Sequence, residues 1–375
     1  MSMAPPASAE WVHTGYTQRI HFGRGAVRLL PAILREVGAR RALLVTTEGR
    51  AGSDEGEALV SSLGRVLAGV FDGVRPHVPV GVVRAGVEAA RDADIDAVVS
   101  FGGGSCADAA KAICFFTEQE RGLRGATYLD RPVLSHVSIP TTYSGAELTG
   151  FFGMTDEVTR TKQGAGGPTV VPLAAVYDPV LTLSTPGGVS AETGMNALAH
   201  GVECAYSPAR TPEAEAVALE CIRRLAARLP DVVDDPSDLE ARSAVLSGAV
   251  LGGRCLMNAS MGIHHGLAQL VGGRTGIRHG LANAILLTHA LRFNLESIGD
   301  AASRIGQALG DEDDPVGAVD RLRERLGLPG RLSEAGMTDE DIEAVMRAGQ
   351  SNQAIRSNPR PVAEEDLREV LEAAF

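Results

Sequence analysis

The sequence predicts two units, an α/β unit built on a parallel, doubly wound sheet and then an all-α unit. Three observations carry this. Through the first half, short apolar segments alternate with amphipathic helical ones. The segment 42–45 is a continuous apolar run of the kind a strand buried on both faces needs, and 97–101 is a second apolar strand. From Leu181 onward the pattern is helical almost without interruption. Strands alternating with helices require crossover connections, and hence a parallel sheet. The boundary is expected near Asp178, giving units at 1–178 and 179–375.

In order along the chain, MSMAPPASAE has no basic region and no apolar centre, and residues 1–9 are expected to be a disordered tail. QRIHFGRGAV alternates apolar and polar, then breaks at Gly23 and Gly25 into the helical VRLLPAILREVG. The strand at 42–45 follows, then a helix near 55–67, a short strand near 69–71, a helix at 80–93 and the strand at 97–101. CADAAKAICFF reads as a helix and LSHVSIP as a strand. Segments 151–154 and 174–177 are expected to pair as a hairpin straddling Lys162 and GAGGP. EAEAVALECIRRLAARL and EARSAVLSGAVLGGRCLM supply long helices of the second unit.

Composition narrows the function. The 375 residues are 44% hydrophobic and 22% charged, as in an ordinary globular chain, with a formal net charge of −12. No Lys/Arg-rich cluster is present, which argues against nucleic acid or an anionic membrane as partner. No apolar run approaches the roughly 20 residues of a membrane span. Five cysteines, without a CxxC pair, read as reduced thiols and point to the cytoplasm.

Two regions carry chemistry. Strand 97–101 runs into Gly102, Gly103, Gly104 and Ser105, where backbone N–H groups and a helix N-terminus can cradle a phosphate. Asp108 stands one turn into that helix. The next strand delivers Thr141, Thr142 and Tyr143, suited to a ribose, pyrophosphate or nicotinamide amide, although a polar loop explains them equally. Glu48, after the strand at 42–45, favours NADH by bonding a ribose 2′-hydroxyl and repelling a 2′-phosphate, whereas Arg50 favours NADPH. NADH is the preferred reading. In the second region Asn196 and His200 share a helix face, with His265 and His279 further on. Three imidazoles and an Asp would suit a transition metal, but a neutral amide in place of the carboxylate binds one poorly, so no metal is expected. His264 is read evenly as functional or structural, and His13, His21, His77, His136 and His289 as packing.

Taken together, FGRGA, GGGS, PTT, YDP, the NxxxH of Asn196 and His200, the pair His264-His265 and HGLANAILLTH resemble the iron-containing alcohol dehydrogenase family, over essentially the whole chain. The resemblance implies a dehydroquinate-synthase-like fold. PTTYSGAE and Asn196 are most similar to the maleylacetate reductase branch, whose metal-dependent cousins carry Asp at the Asn196 position. That resemblance implies reduction of maleylacetate to 3-oxoadipate with NADH or NADPH, a small anionic substrate, no metal, and a homodimer. It also implies a reduced nicotinamide between the units, with Lys162 among its contacts. Charge developing on the acceptor is then expected to fall to His200, His265 and His279, at least one protonated, with Asn196 beside them and Tyr143 as a further donor. Three positions depart from the branch: Asp108 for a usual glycine, Gly266 for a lysine and Gln269 for a histidine. A tailoring enzyme of the same fold acting on another carbonyl or enone, or a metal-dependent alcohol dehydrogenase, are the alternative readings.

Overall fold

Six parallel strands form the centre of the first unit in the computed structural model, which describes residues 11–15, 17–122, 132–159 and 161–375. The expected tail at 1–9 lies outside the described residues. The unit runs β1 (Arg19–Phe22), α1 (Leu30–Glu36), β2 (Ala42–Val45), the short α2 (Glu48–Ala51), α3 (Asp54–Leu63), β3 (Leu67–Phe71), α4 (Val80–Asp92), β4 (Ala97–Gly102), α5 (Gly104–Glu120), β5 (Ser135–Pro140), β6 (Phe151–Asp156), β7 (Thr161–Gly166) and β8 (Ala174–Tyr177). The main sheet has the order β1-β8-β5-β4-β2-β3, every pair parallel. Side chains alternate across it. Leu43, Val45 and Val98 pack on one face with Val83 and Val87 of α4 and Ile113 of α5. Leu44, Val99, Ile139 and Val176 pack on the other with Leu30 and Leu34 of α1 and Leu59 and Leu63 of α3. Both faces are covered, which is why β2 reads as an unbroken apolar run and β4 as an apolar one interrupted by Ser100, whose hydroxyl bonds His136 and Ser138.

The sheet grows outward from β2 to β3, then returns to place β4 on the other side of β2. At such a switch point the loops leaving the two strands diverge and open a crevice beyond their C-terminal ends. Glu48 follows β2 there, and Gly102 to Ser105 end β4 and begin α5.

Two expectations are corrected. The hairpin partner of β6 is β7, in register Phe151↔Gly166 to Asp156↔Thr161, so Lys162 lies on a strand rather than in a loop. β8, expected in that hairpin, is an inner strand of the main sheet between β1 and β5. TKQGAG hides its strand because glycine and glutamine are poor strand formers, whereas the fully buried AAVY needed both sheet faces. The unit boundary also falls after Asp178. That carboxylate accepts from the N–H groups of Gly25, Val27 and Val180, and Thr185 Oγ1 donates to the Thr141 carbonyl at 2.7 Å. The chain stays with the first unit through Thr185 and leaves it at Pro186.

The second unit comprises α6 (Gly187–Tyr206), α7 (Pro212–Asp234), α8 (Leu239–Cys255), α9 (Ile263–Thr275), α10 (His279–Asn294), α11 (Asp300–Leu309), α12 (Pro315–Arg325), α13 (Asp339–Gly349), the short α14 (Gln353–Arg356) and α15 (Glu364–Ala374). Helix α6 is buried all round and packs against α7, α8 and α10, the pattern of a central helix rather than an amphipathic one. Among the described residues no helix is long and apolar enough to cross a membrane.

Candidate active site

The β4–α5 turn leaves no room for side chains. Gly102 has φ +140°, and a Cβ there would stand 2.6 Å from Cys106 Sγ. A Cβ at Gly103 would meet Thr142 Cγ2 at 3.2 Å, and one at Gly104 would meet Ser144 Oγ at 2.8 Å. The loops after β4 and β5 therefore pack backbone against side chain, and only glycine permits it. Gly103 caps α5 without a side-chain acceptor, so the first N–H groups of α5, including those of Gly104 and Ser105, are presented for an anion. Thr141 and Thr142 are buried beside this turn, and among the described residues neither Oγ1 has a hydrogen-bond partner. A cradle that a Cβ would fill and two unsatisfied hydroxyls fit the diphosphate and ribose of a dinucleotide.

Asp108 stands one turn into α5. It pairs with the fully buried Lys111 at 2.9 Å and accepts from the Gly153 N–H at 3.4 Å. Lys111 also donates to the carbonyls of Ala146 and Phe151 and to Thr149 Oγ1, pinning the chain that follows the Thr141–Thr142–Tyr143 loop. Tyr143 is 1% exposed in the same unit. Lys162 lies against Gly153, and its burial lowers the ammonium pKa while Asp108 opposes the shift. Glu48 is exposed in the first turn of α2. The guanidinium of Arg50 instead donates to Ser184 Oγ at 2.6 Å and Thr185 Oγ1 at 3.1 Å.

The second unit brings three imidazoles together. His200, on α6 one turn after the buried Asn196, stacks on His265 of α9 with ring centroids 4.7 Å apart and planes inclined by 23°. His279, at the first position of α10, lies 6.1 Å from His265, centroid to centroid. Burial, reinforced by the neighbouring His265 and His264, holds the His200 pKa well below the usual histidine value, so this ring is neutral near pH 7.

Beneath the rings lies Glu203, fully buried one turn after His200. Its Oε2 meets His265 Nδ1 at 2.6 Å, and its two oxygens accept from the N–H groups of Gly262, His264 and His265 at the start of α9. Burial alone would raise this carboxyl, but the imidazoles of His264 and His265 outweigh it and keep Glu203 ionised. His264 turns the other way, with Nε2 2.9 Å from the Asn283 carbonyl. Glu203 was not among the residues picked from the sequence, though its place three residues after His200 in AHGVE put it on the same helix face. Gly266 cannot readily hold a side chain, since a Cβ would stand 2.5 Å from Ile355 Cγ1 on α14. Gln269 is half-buried further along α9.

A phosphate cradle at the switch point of a parallel sheet, in a chain whose helical unit gathers proton-bearing rings, is the equipment of an oxidoreductase that uses NADH or NADPH. Comparison with known proteins agrees. Residues 17–179 match the model of iron-containing alcohol dehydrogenases, and residues 190–375 that of the Fe-containing alcohol dehydrogenase family, C-terminal. The chain is 36% identical over 367 residues to maleylacetate reductase 2 of Cupriavidus pinatubonensis, covering 98% of this chain and 97% of the relative. It is 37% identical over 361 residues to maleylacetate reductase of Burkholderia cepacia, covering 95% of each. The crystal structure of maleylacetate reductase from Rhizobium sp. strain MTP-10005 superposes with a TM-score of 0.86 at 33% identity, over 98% of both chains. The chain belongs to the iron-containing alcohol dehydrogenase family.

Proposed function

We propose that this enzyme reduces maleylacetate, or a close oxo-enoate dicarboxylate, with NADH and without a metal ion. The observation that carries the reading is the set of Asn196, His200 and His265, all buried, with the half-buried His279, an amide and three imidazoles with no carboxylate among them. Such a set offers a divalent ion no charge neutralisation. The rings of His200 and His265, stacked with centroids 4.7 Å apart and planes inclined by 23°, also keep their in-plane nitrogen lone pairs in nearly parallel planes. The tightest candidate donor group among the described residues, Glu203, His264 and His265, has its atoms within 4.8 Å of one another. Those atoms are already engaged by α9 N–H groups and the Asn283 carbonyl. These donors fit a resident transition metal poorly, and no step is assigned to one.

Bound NADH would supply a hydride to the alkene carbon β to the oxo group, moving charge onto the oxo oxygen as an enolate. The chain's part is to hold and protonate. The α5 N-terminus and the Thr141 and Thr142 hydroxyls hold the diphosphate and ribose; Lys162 and Tyr143 complete the pocket of that unit. His265 and His279 meet the developing oxyanion, and a proton passes to the α-carbon to give the saturated oxo-dicarboxylate. His200, neutral by desolvation, serves as a hydrogen-bonding wall rather than a cation. Preference for NADH follows from Glu48, exposed beyond β2, while Arg50 is tied to Ser184 and Thr185. The test is product analysis of the purified enzyme with maleylacetate and NADH. Stoichiometric 3-oxoadipate supports the reading; a hydroxy acid with the alkene intact would replace it with carbonyl reduction.

A further inference from the structure

The obligate acceptors around His264 and His265 fix which nitrogen of each ring carries the proton. A backbone carbonyl and a carboxylate only accept hydrogen bonds, so a ring nitrogen facing one must donate. His264 Nε2 faces the Asn283 carbonyl at 2.9 Å and therefore bears hydrogen. In the neutral ring its Nδ1 is then an acceptor, and it faces His265 Nδ1 at 3.1 Å. His265 Nδ1 has Glu203 Oε2 at 2.6 Å on its other side. Both neighbours of His265 Nδ1 accept, so Nδ1 carries the hydrogen and Nε2 is the nitrogen directed away from Glu203. That ring stacks on His200 and tilts toward His279.

Glu203 is built for this task. It comes from α6, the helix that carries Asn196 and His200, and it grips the first turn of α9 through Gly262, His264 and His265 at 3.0–3.3 Å. Tyr206 Oη adds a contact to Oε1 at 3.4 Å. A Cβ at Gly262 would stand 2.9 Å from Glu203 Oε1, so α9 can approach the carboxylate this closely only because glycine precedes it. One carboxylate thus ties His265 to the helix that holds His200, and orients the ring at the same time.

We propose that Glu203 is a positioning residue for reduction: it holds hydrogen on His265 Nδ1 and orients the ring so that Nε2, on taking up a proton, is the atom that donates to the acceptor's developing oxyanion. This rests on the reductase reading of the imidazole cluster, but the tautomer itself can be read without any substrate.

The experiment is nitrogen NMR of the full enzyme labelled in its histidine rings, with the His265 signals assigned by their loss in His265→Asn. The wild type is expected to show His265 protonated at Nδ1; finding the proton on Nε2 alone would overturn the proposal. Glu203→Gln leaves one oxygen, which the Gly262 and His264 N–H groups claim as they do Oε1, and so sets the NH2 against His265 Nδ1; the tautomer is expected to switch and kcat to fall by about 10–100-fold, as for other residues that orient a reacting ring. NADH affinity and the acceptor KM should stay within about twofold, since uniform binding is untouched. Asn358→Ala removes a different α9 cap, the acceptor of the Ile263 N–H at 3.1 Å, and is expected to lower thermal stability with little change in kcat. If Asn358→Ala lost kcat as Glu203→Gln does, or if Glu203→Gln switched the tautomer without slowing turnover, Glu203 would be only a helix cap. Failure of the wild type to reduce maleylacetate would remove the substrate assignment and leave the tautomer result standing.

Discussion

Replacing Gly280 with alanine tests whether the imidazoles work through their mutual placement. Gly280 is the second residue of α10, next to His279, and its Cα lies against the α6 backbone. A Cβ there would stand 2.7 Å from the Glu192 carbonyl oxygen, 2.8 Å from its carbonyl carbon and 3.0 Å from its Cβ. Non-bonded carbons settle at about 3.5–4.0 Å, so the start of α10 must retreat by roughly 0.5–1 Å. The obstacle is mostly backbone, so no rotamer change relieves it. Overpacking of this kind costs about 1–3 kcal/mol, and in a unit of this size about 2–4 °C in Tm per kcal/mol. A displacement near 1 Å also carries His279 away from His265, and misplacement on that scale can lower turnover by about 100-fold. The assay pairs thermal unfolding with the steady-state rate of NADH oxidation. Gly188→Ala is the matched control: nothing lies within 4 Å of its Cβ position, in α6 itself, and alanine should stabilise by about 0.4–1 kcal/mol. Wild-type kcat and Tm in Gly280→Ala would refute the claim that close approach of α10 to α6 sets the site.

Three further predictions follow from named contacts. His265→Ala and His279→Ala should each lower kcat by about 100-fold or more, the scale of losing one oxyanion donor, with NADH affinity nearly unchanged; a parallel loss of folding stability and activity would make them core residues. Glu48→Ser should raise kcat/KM for NADPH relative to NADH by about tenfold, since removing a charge repulsion of ~1.4 kcal/mol is enough, and an unchanged ratio would move cofactor choice elsewhere. His136 is buried on β5, its Nε2 2.8 Å from Ser100 Oγ of β4, and burial, with Lys111 adding to it, lowers its pKa to about 3. Between the ordinary value of 6.5 and about 3 the unfolded chain takes up a proton that the folded ring refuses. Stability should therefore drop as the pH is lowered through that window, by on the order of 5 kcal/mol. Urea titrations at stepped pH should show a shallower slope in His136→Gln, and an equal slope would contradict this.

Much of the fold was legible because the sheet is covered on both faces: β2 is wholly apolar and β4 mostly so, and the glycines after β4 mark its end in the sequence itself. The histidines were legible too, since Asn196 and His200 share a helix face and His265 and His279 open later helices. Pairing partners were not. β7 carries two glycines and a glutamine, and its strand form comes from its register with β6 rather than from its own residues. β8 looked like a hairpin arm because four apolar residues do not say which sheet will bury them. Asp108 also pairs with Lys111, three residues on, a partner that a lysine within an apolar helix foreshadowed. Glu203 escaped notice because its partners lie on α9, far along the chain, and only folding sets them beside it.

The most direct test of metal-free hydride transfer by this imidazole set is the rate of maleylacetate reduction by NADH after exhaustive chelation, with residual metal measured in the same sample. Full turnover at substoichiometric metal is the predicted result. Loss of turnover that returns on adding ferrous or zinc ion would contradict it and make Asn196 a tolerated ligand.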